Sequence, residues 1–151
     1  YDKFLNLENL SNNIKVVTDI KENLNIYDFI SLHIPFNNSE KALIDKTFLN
    51  KLKNDCAIIN TSRGDLIDEK DLINHLKENN NFYAGLDVFN PEPPSSDNEL
   101  FKLNNTILTP HSAAYTDECL AEMSLHCAIN IENFFKGKID QSRLINKEIY
   151  S

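Results

Sequence analysis

The feature of this sequence that most restricts its fold is a series of short apolar runs separated by helical stretches. Cys56 to Thr61 is almost purely apolar, and Phe82 to Val88 and Thr106 to Thr109 are further short runs. A strand that is buried on both faces of a sheet has a continuous apolar run, because neither of its sides meets water. Such strands alternating with helices indicate an α/β fold with a parallel sheet covered on both faces.

The predicted elements follow one another along the chain. Five strands are predicted, at Ile14 to Val17, Asp28 to Ile34, Cys56 to Thr61, Phe82 to Val88 and Thr106 to Thr109. Three helices are predicted, at Thr47 to Leu52, Asp68 to Glu78 and Asp117 to Lys136. Thr116 is the expected N-cap of the last helix, and Gly137 stands where a glycine commonly ends a helix. Residues three and four positions apart form an apolar stripe along that helix, namely Leu120, Met123, Cys127, Ile131 and Phe134.

The composition favours a globular domain and excludes several classes of function. Of the 151 residues, 41% are hydrophobic, and the net charge is −8. An acidic chain lacks the basic face that nucleic-acid binding requires, so no nucleic-acid partner is expected. The three cysteines form no CxxC motif, so neither a disulfide framework nor a metal site is expected. No apolar run approaches the ~18 residues of a membrane span, so we expect no membrane contact and a cytoplasmic location.

Functional side chains are expected at the carboxyl ends of the strands, because ligands of open α/β sheets bind there. His33 and Pro35 close the second predicted strand, Thr61 to Gly64 the third and Asp87 the fourth, and His111 follows the fifth. Hydrogen-bonding or titratable groups at four strand ends predict one ligand site along this edge. His75, on the amphipathic helix at Asp68 to Glu78, is instead expected to be solvated.

Three side chains near this edge suit a reaction on a carboxylic acid. Arg63 stands in a glycine-containing turn, and a guanidinium group binds a carboxylate through two parallel hydrogen bonds. His111 can move a proton near neutral pH. Glu92 lies between prolines that stiffen its loop, and a carboxylate held against an imidazole stabilises the protonated ring. Taken singly, they are also compatible with a surface arginine, a loop-capping histidine and an exposed glutamate, so only the combination indicates a site.

Four segments of the chain together resemble the ordered signature blocks of the D-isomer-specific 2-hydroxyacid dehydrogenase family. They are SLHIPFNNSEKALIDK, INTSRGDLIDEKDL, GLDVFNPEPP and ILTPHSAAYT, within a resemblance that runs from about Tyr1 to Gly137. By position, it implies that Arg63 binds the substrate carboxylate, that His111 is the general acid/base and that Glu92 is its paired carboxylate. The implied reaction passes a hydride between C2 of a small 2-hydroxy acid and C4 of nicotinamide. Formate dehydrogenases of the family have glutamine at the Glu92 position, so the resemblance disfavours that branch.

The resemblance also implies a cofactor and a domain plan. The implied contacts to NAD are Asp2, Ile34, Pro35, Thr61, Ser62, Arg63, Asp87, His111, Ser112, Ala113 and Ala114. Asp87 is expected to bond the nicotinamide carboxamide, and Asp2 to bond the adenosine ribose and favour NAD over NADP. Residues 1–115 are expected to form part of a Rossmann-type doubly wound sheet, and residues 116–151 a long helix and a segment returning toward a substrate domain. The parent enzyme is expected to be a homodimer.

The chain departs from the family pattern in its phosphate-binding loop. It holds no GxGxxG motif, and Gly64, Gly85 and Gly137 are its only glycines. The loop is expected ~20 residues before the ribose-binding acid, which places it ahead of Tyr1. The chain is therefore interpreted as the C-terminal part of a longer enzyme. By itself it is expected to bind NAD poorly, to turn over no substrate and to expose apolar edges and faces.

Two other functions stay open on the sequence. Corepressor relatives in the family keep the same three residues and use the fold for NAD-sensed dimerisation and peptide binding. Arg63, Glu92 and His111 therefore do not exclude a binding module. A truncated, non-catalytic product is the other alternative, although the intact set of three argues against decay of the parent sequence. No particular 2-hydroxy acid is favoured, since the specificity loops of the family come largely from the half that this chain lacks.

Overall fold

The computed structural model describes residues 13–17, 19–37, 41–146 and 148 of the chain. It divides into two compact units, residues 1–112 and residues 113–151. The first unit holds a parallel sheet with its helices, and the second holds one long helix. The domain boundary after residue 115 and the return of the last segment toward a substrate domain stay predictions.

Four parallel strands form the sheet of the first unit. They are β1 (Phe29–Leu32), β2 (Ala57–Asn60), β3 (Tyr83–Leu86) and β4 (Thr106–Leu108), and they lie side by side in that order. Ile58 of β2 pairs with Ile30 of β1 on one side and with Ala84 of β3 on the other. Because every strand runs parallel to its neighbours, the predicted α/β fold with a Rossmann-type parallel sheet is confirmed.

The strand predicted at Ile14 to Val17 is wrong. These residues form no regular element, and Ile14 is exposed. A strand needs a neighbour for its backbone N–H and C=O groups, and no other segment in the described part of the chain pairs with residues 14–17. The edges of the described sheet are β1 and β4, and Phe29 and Ile107 on these strands are each 74% exposed. The expectation of exposed apolar edges is met there.

Two helices of the first unit begin at aspartate caps. α1 (Lys46–Leu49) starts after Asp45, whose side chain accepts a hydrogen bond from the backbone N–H of Phe48 at 2.9 Å. α2 (Glu69–Glu78) starts after Asp68, which accepts from the N–H of Asp71 at 3.0 Å. α2 lies within one residue of its predicted bounds, whereas α1 begins and ends earlier than predicted.

Short 3-10 helices lie at Leu24–Ile26, Gly64–Leu66, Glu99–Lys102 and Gln141–Arg143. The most deeply buried apolar side chains include Ile44, Phe48, Leu49, Ile58, Leu72, Leu76, Phe82 and Leu100.

The expectation that His75 is solvated is wrong. Its side chain is buried, and its ring meets that of Phe82 edge-on, with the centroids 4.6 Å apart. His75 follows Leu72 by three positions, which places both on the same face of α2, the face that covers the core. Burial lowers the pKa of His75. No hydrogen-bond partner for its Nε2 atom exists among the described residues.

The second unit contains α3 (Asp117–Phe135). Thr116 caps its start by accepting from the N–H of Cys119 at 3.1 Å, as predicted. Gly137 follows its end with a φ of 67°, and Lys138 N donates to Asn133 O at 2.8 Å, so the predicted stop at a left-handed glycine is confirmed. No residue of α3 is buried, and the predicted apolar stripe is therefore largely exposed. Within the described residues, α3 and the other helices are too short or too polar to cross a membrane.

Candidate active site

The carboxyl ends of the four strands meet at one edge of the sheet, because all four are parallel. The segments that leave this edge are residues 33–35 after β1, residues 61–64 after β2, residues 87–92 after β3 and residues 109–112 after β4. These segments hold every residue of the predicted site except Asp2, Ala113 and Ala114. Asp2 lies outside the described residues, and Ala113 and Ala114 are exposed residues that open the second unit.

Glu92 and His111 are in direct contact at this edge. Nδ1 of His111 lies 2.5 Å from Oε1 of Glu92, and the other carboxylate oxygen accepts from the backbone N–H of Phe89 at 3.3 Å. The hydrogen bond from His111 holds the pKa of Glu92 below its ordinary value, and the Phe89 N–H adds to this effect. The side chains of Glu92 and His111 are 38% and 53% exposed. The carboxylate is thus ionised at neutral pH, and the imidazole stays open to a ligand.

The turn that presents His111 is fixed from inside the fold by Asp87. This aspartate is only 3% exposed, and its Oδ1 accepts from Thr109 Oγ1 at 2.5 Å and from Ser112 N at 2.8 Å. The carbonyl of Asp87 also accepts from His111 N at 2.9 Å. His111 has a φ of 52°, a left-handed conformation that costs a non-glycine residue about 1 kcal/mol. The surrounding bonds hold the backbone in this conformation and aim the imidazole at the sheet edge.

Asn60, which sequence reasoning missed, shapes the turn that presents Arg63. This last residue of β2 is 1% exposed. Its Nδ2 donates to Arg63 O at 2.9 Å, and its Oδ1 accepts from Ser62 N at 3.1 Å. An amide satisfies a donor and an acceptor of the same turn, as buried polar groups require. The sequence signal for this role was the position of Asn60, a polar residue that ends an otherwise apolar strand.

The Arg63 side chain is exposed and points away from the core. Its Nη1 donates to Ser62 O of its own turn at 2.6 Å. Among the described residues, no hydrogen bond or ion pair links this guanidinium to Glu92 or His111. The structure therefore brings two of the three predicted residues into contact, and it places the third at the same sheet edge without touching them.

The ends of β1 and β2 are tied together where the cofactor contacts were predicted. Ser62 Oγ donates to Ile34 O at 2.6 Å, and Pro35 and Thr61 lie exposed on either side. A cavity of about 430 Å³ runs beside β1 next to this tie. Its walls include Tyr27, Ile30, Ser31, His33 and Ile34. A second, mostly apolar cavity of about 460 Å³ borders the Glu92–His111 pair.

Residues of metal-binding type do not gather in the described part of the chain. No group of three or more histidine, cysteine, aspartate or glutamate side chains there could hold a metal ion.

Comparison with known proteins relates this geometry to a family. Residues 1–113 match the family described as D-isomer specific 2-hydroxyacid dehydrogenase, NAD binding domain. A glyoxylate reductase of Korarchaeum cryptofilum is 38% identical over 122 residues, covering 81% of this chain and 36% of that protein. A D-3-phosphoglycerate dehydrogenase of Methanocaldococcus jannaschii is 37% identical over 129 residues, covering 85% of this chain and 24% of that protein. The chain thus spans from about a quarter to just over a third of the length of these two relatives.

A solved structure extends the likeness to the backbone. The NAD-complexed D-isomer specific 2-hydroxyacid dehydrogenase of Lactobacillus delbrueckii ssp. bulgaricus superimposes with a TM-score of 0.71 at 30% identity. The match covers 82% of this chain and 41% of that one. Sequence blocks, parallel sheet and family model agree, and the resemblance found in the sequence is confirmed. The chain belongs to the D-isomer-specific 2-hydroxyacid dehydrogenase family, and residues 1–113 belong to its NAD-binding domain.

Proposed function

We propose that this chain provides the acid/base pair and the carboxylate-binding arginine of an NAD-dependent 2-hydroxyacid dehydrogenase. The substrate is a small 2-oxo acid or its 2-hydroxy counterpart, the compound class named in the glyoxylate reductase and phosphoglycerate dehydrogenase relatives. The observation that carries the proposal is the 2.5 Å contact between His111 Nδ1 and Glu92 Oε1 at the carboxyl edge of the sheet.

His111 moves the proton of the reaction. Because Glu92 holds Nδ1, the reactive nitrogen is Nε2, which gives a proton to the 2-oxo oxygen as it becomes a hydroxyl. In the reverse direction Nε2 takes that proton, and the carboxylate of Glu92 stabilises the imidazolium that forms. His111 is the catalytic residue, and Glu92 acts through it by fixing the tautomer and the orientation of the ring.

Arg63 binds and orients the carboxylate of the acid. Its bond to Ser62 O uses one of five N–H donors, so the guanidinium can still offer a two-pronged contact to an anion. Holding the carboxylate on Arg63 brings the neighbouring C2 oxygen toward His111, since both residues leave the same sheet edge. Orientation of this kind is a large part of the rate acceleration that an enzyme achieves.

The residues at this edge fit a dinucleotide cofactor. The carboxyl ends of parallel strands are where such folds bind nucleotides, and the cavity beside β1 opens next to Ile34 and Ser62. The residues of the first unit that would hold the cofactor are Ile34, Pro35, Thr61, Ser62, Arg63, Asp87, His111 and Ser112. When bound, it supplies or accepts the hydride at C2. Asp87 already bonds Thr109 and Ser112, so its first role is to shape this turn.

Substitution of Arg63 by lysine tests the proposal in the whole polypeptide that carries this chain. The reaction is followed by the loss of NADH absorbance with glyoxylate, hydroxypyruvate and 3-phosphohydroxypyruvate. Lysine keeps the charge but loses the planar fork, so KM for the 2-oxo acid should rise about 10-fold while kcat changes less. Arg143→Lys makes the same change in the second unit and should leave KM unaltered. An unaltered KM in Arg63→Lys would contradict the carboxylate role, and absent NADH oxidation with all three acids would refute the proposed function.

A further inference from the structure

The loop that carries Glu92 is pressed against the turn that carries Arg63. A Cβ atom placed on Gly64 would lie 2.1 Å from both the carbonyl carbon and the carbonyl oxygen of Phe89, and 2.7 Å from Asn90 N. Only glycine permits so close an approach of two backbones. The Phe89 carbonyl and the Asn90 nitrogen therefore rest directly on the turn.

A side-chain hydrogen bond closes the same contact on its outer side. Nδ2 of Asn90 donates to Oδ1 of Asp65 at 2.6 Å, across 25 positions of sequence. Asp65 belongs to the short 3-10 helix Gly64–Leu66. Leu66, which directly follows Asp65, is buried in the core. A bond to an ionised acceptor is stronger than one between neutral groups. Asp65 thus offers a fixed anchor point to a loop that has few buried residues.

We propose that Asp65 and Asn90 act as positioning residues that clamp the Glu92 loop to the Arg63 turn and so hold the Glu92 carboxylate against His111. This inference rests on the proposed function, in which that carboxylate orients the reacting imidazole. Asn90 precedes Glu92 by two residues, and the Phe89 N–H beside it bonds to Glu92 Oε2. The clamp therefore acts on the segment that determines where both carboxylate oxygens lie.

Exposure explains why such a clamp is needed. The Glu92 and His111 side chains are 38% and 53% exposed, so packing alone does not fix their separation. Asp87 anchors the turn of His111 from the interior, through its bonds to Thr109 Oγ1 and Ser112 N. The Glu92 loop is held at the surface instead, by the Gly64 contact and the Asp65–Asn90 bond.

Two variants at Asp65 separate its hydrogen bond from its charge. Asp65→Ala and Asp65→Asn remove the same negative charge, but asparagine keeps an oxygen that accepts from Asn90 Nδ2. Loss of a negative charge by itself lowers the pKa of a nearby carboxyl. A rise in the pKa of Glu92 in Asp65→Ala therefore indicates that its hydrogen bonds to His111 and to the Phe89 N–H have loosened. Asn90→Ala removes the same bond from the exposed partner and serves where Asp65→Ala fails to fold.

The experiment has two readouts on these variants. Carboxyl ¹³C NMR titration of the 151-residue chain follows the pKa of Glu92, and an NADH oxidation assay of the whole polypeptide follows kcat. In Asp65→Ala and Asn90→Ala we expect the Glu92 pKa to rise toward its ordinary value and kcat to fall about 10-fold. Asp65→Asn should keep the low pKa and retain kcat within about twofold, and the double alanine variant should be no worse than either single one.

The outcomes are distinguishable. A Glu92 pKa that stays low in both alanine variants overturns the clamp. An equal loss of kcat in Asp65→Asn and Asp65→Ala overturns it as well. A wild-type polypeptide without activity on 2-oxo acids refutes the proposed function, and the titration of the 151-residue chain still decides whether the clamp positions Glu92.

Discussion

Two carboxylates at the same edge of the sheet are held in opposite ways. Asp87 is buried, and its Oδ1 accepts bonds from the Thr109 hydroxyl and the Ser112 N–H. Glu92 lies on the surface, and its partners are the imidazole of His111 and the N–H of Phe89. The buried carboxylate fixes a backbone turn, whereas the exposed one contacts the imidazole that we propose moves the proton.

The difference teaches that the Glu92–His111 contact depends on two separate anchors, one for each side chain. The turn that presents His111 is secured from the interior, where an unmet hydrogen bond is costly. The Glu92 loop is secured from outside, by the close approach at Gly64 and the bond to Asp65. Stability should therefore depend mainly on the first carboxylate and catalysis mainly on the second and its partner.

Replacement of His111 by glutamine should have the largest effect, on the chemical step alone. The bonds that anchor this turn use the backbone N–H of His111 and not its ring. Loss of the imidazole should lower kcat about 1000-fold, as expected for general acid/base catalysis, while the Kd for NADH changes less than about threefold. Steady-state kinetics and NADH fluorescence measure the two quantities in the whole polypeptide. Because His111 has a φ of 52°, which asparagine tolerates well, His111→Asn is the matched control. A comparable loss in NADH affinity in both variants would mean that the ring supports the cofactor site instead.

Replacing Asp87 and Glu92 by alanine, one at a time, compares how much each carboxylate contributes to stability. Asp87→Ala removes the buried carboxylate that accepts from Ser112 N–H and Thr109 OH, and because these bonds go to a charged group, the free energy of unfolding should fall by about 2 kcal/mol. Glu92→Ala removes only surface contacts and should change it by less than about 0.5 kcal/mol. Urea denaturation of the 151-residue chain, followed by far-ultraviolet circular dichroism, gives both values. Equal destabilisation would show that the two loops are anchored to the same degree.

Local patterns in the sequence predicted the parallel sheet and the pairing of Glu92 with His111. Three apolar runs became β2, β3 and β4 within a few residues, because burial on both faces leaves a direct trace in composition. The placement of Glu92 and His111 after successive strands followed from the rule that parallel strands share a carboxyl edge. The segment at Ile14 to Val17 has a similar pattern but forms no strand, since strand formation also requires a neighbour that local sequence does not specify.

The anchors of the site could not be predicted, since they join residues far apart in the chain. The bond between Asn90 and Asp65 spans 25 positions, and that between Ser112 and Asp87 also spans 25. Either partner read alone is an ordinary polar residue in a turn. Asn60 is an intermediate case, because its partners lie within three positions and its place at the end of an apolar strand gave a readable signal.

His75 gives the smallest expected effect. It extends the comparison to a buried side chain whose Nε2 atom has no hydrogen-bond partner in the described part of the chain. Burial lowers its pKa in the folded chain below the ordinary value of 6.5. As the pH falls through 6.5, the unfolded chain binds a proton that the folded chain still excludes, so stability should fall by at most about 1.4 kcal/mol per pH unit until the folded-state pKa is reached. His75→Leu removes this contribution, and its free energy of unfolding should vary less between pH 7.5 and pH 5.5 than that of the wild type. His126→Leu, at an exposed position of α3, is the matched control and should keep the wild-type slope. If His75→Leu and the wild type lose the same stability on acidification, burial of His75 does not exclude its proton. His75 would then be hydrated in solution, and the prediction would be wrong.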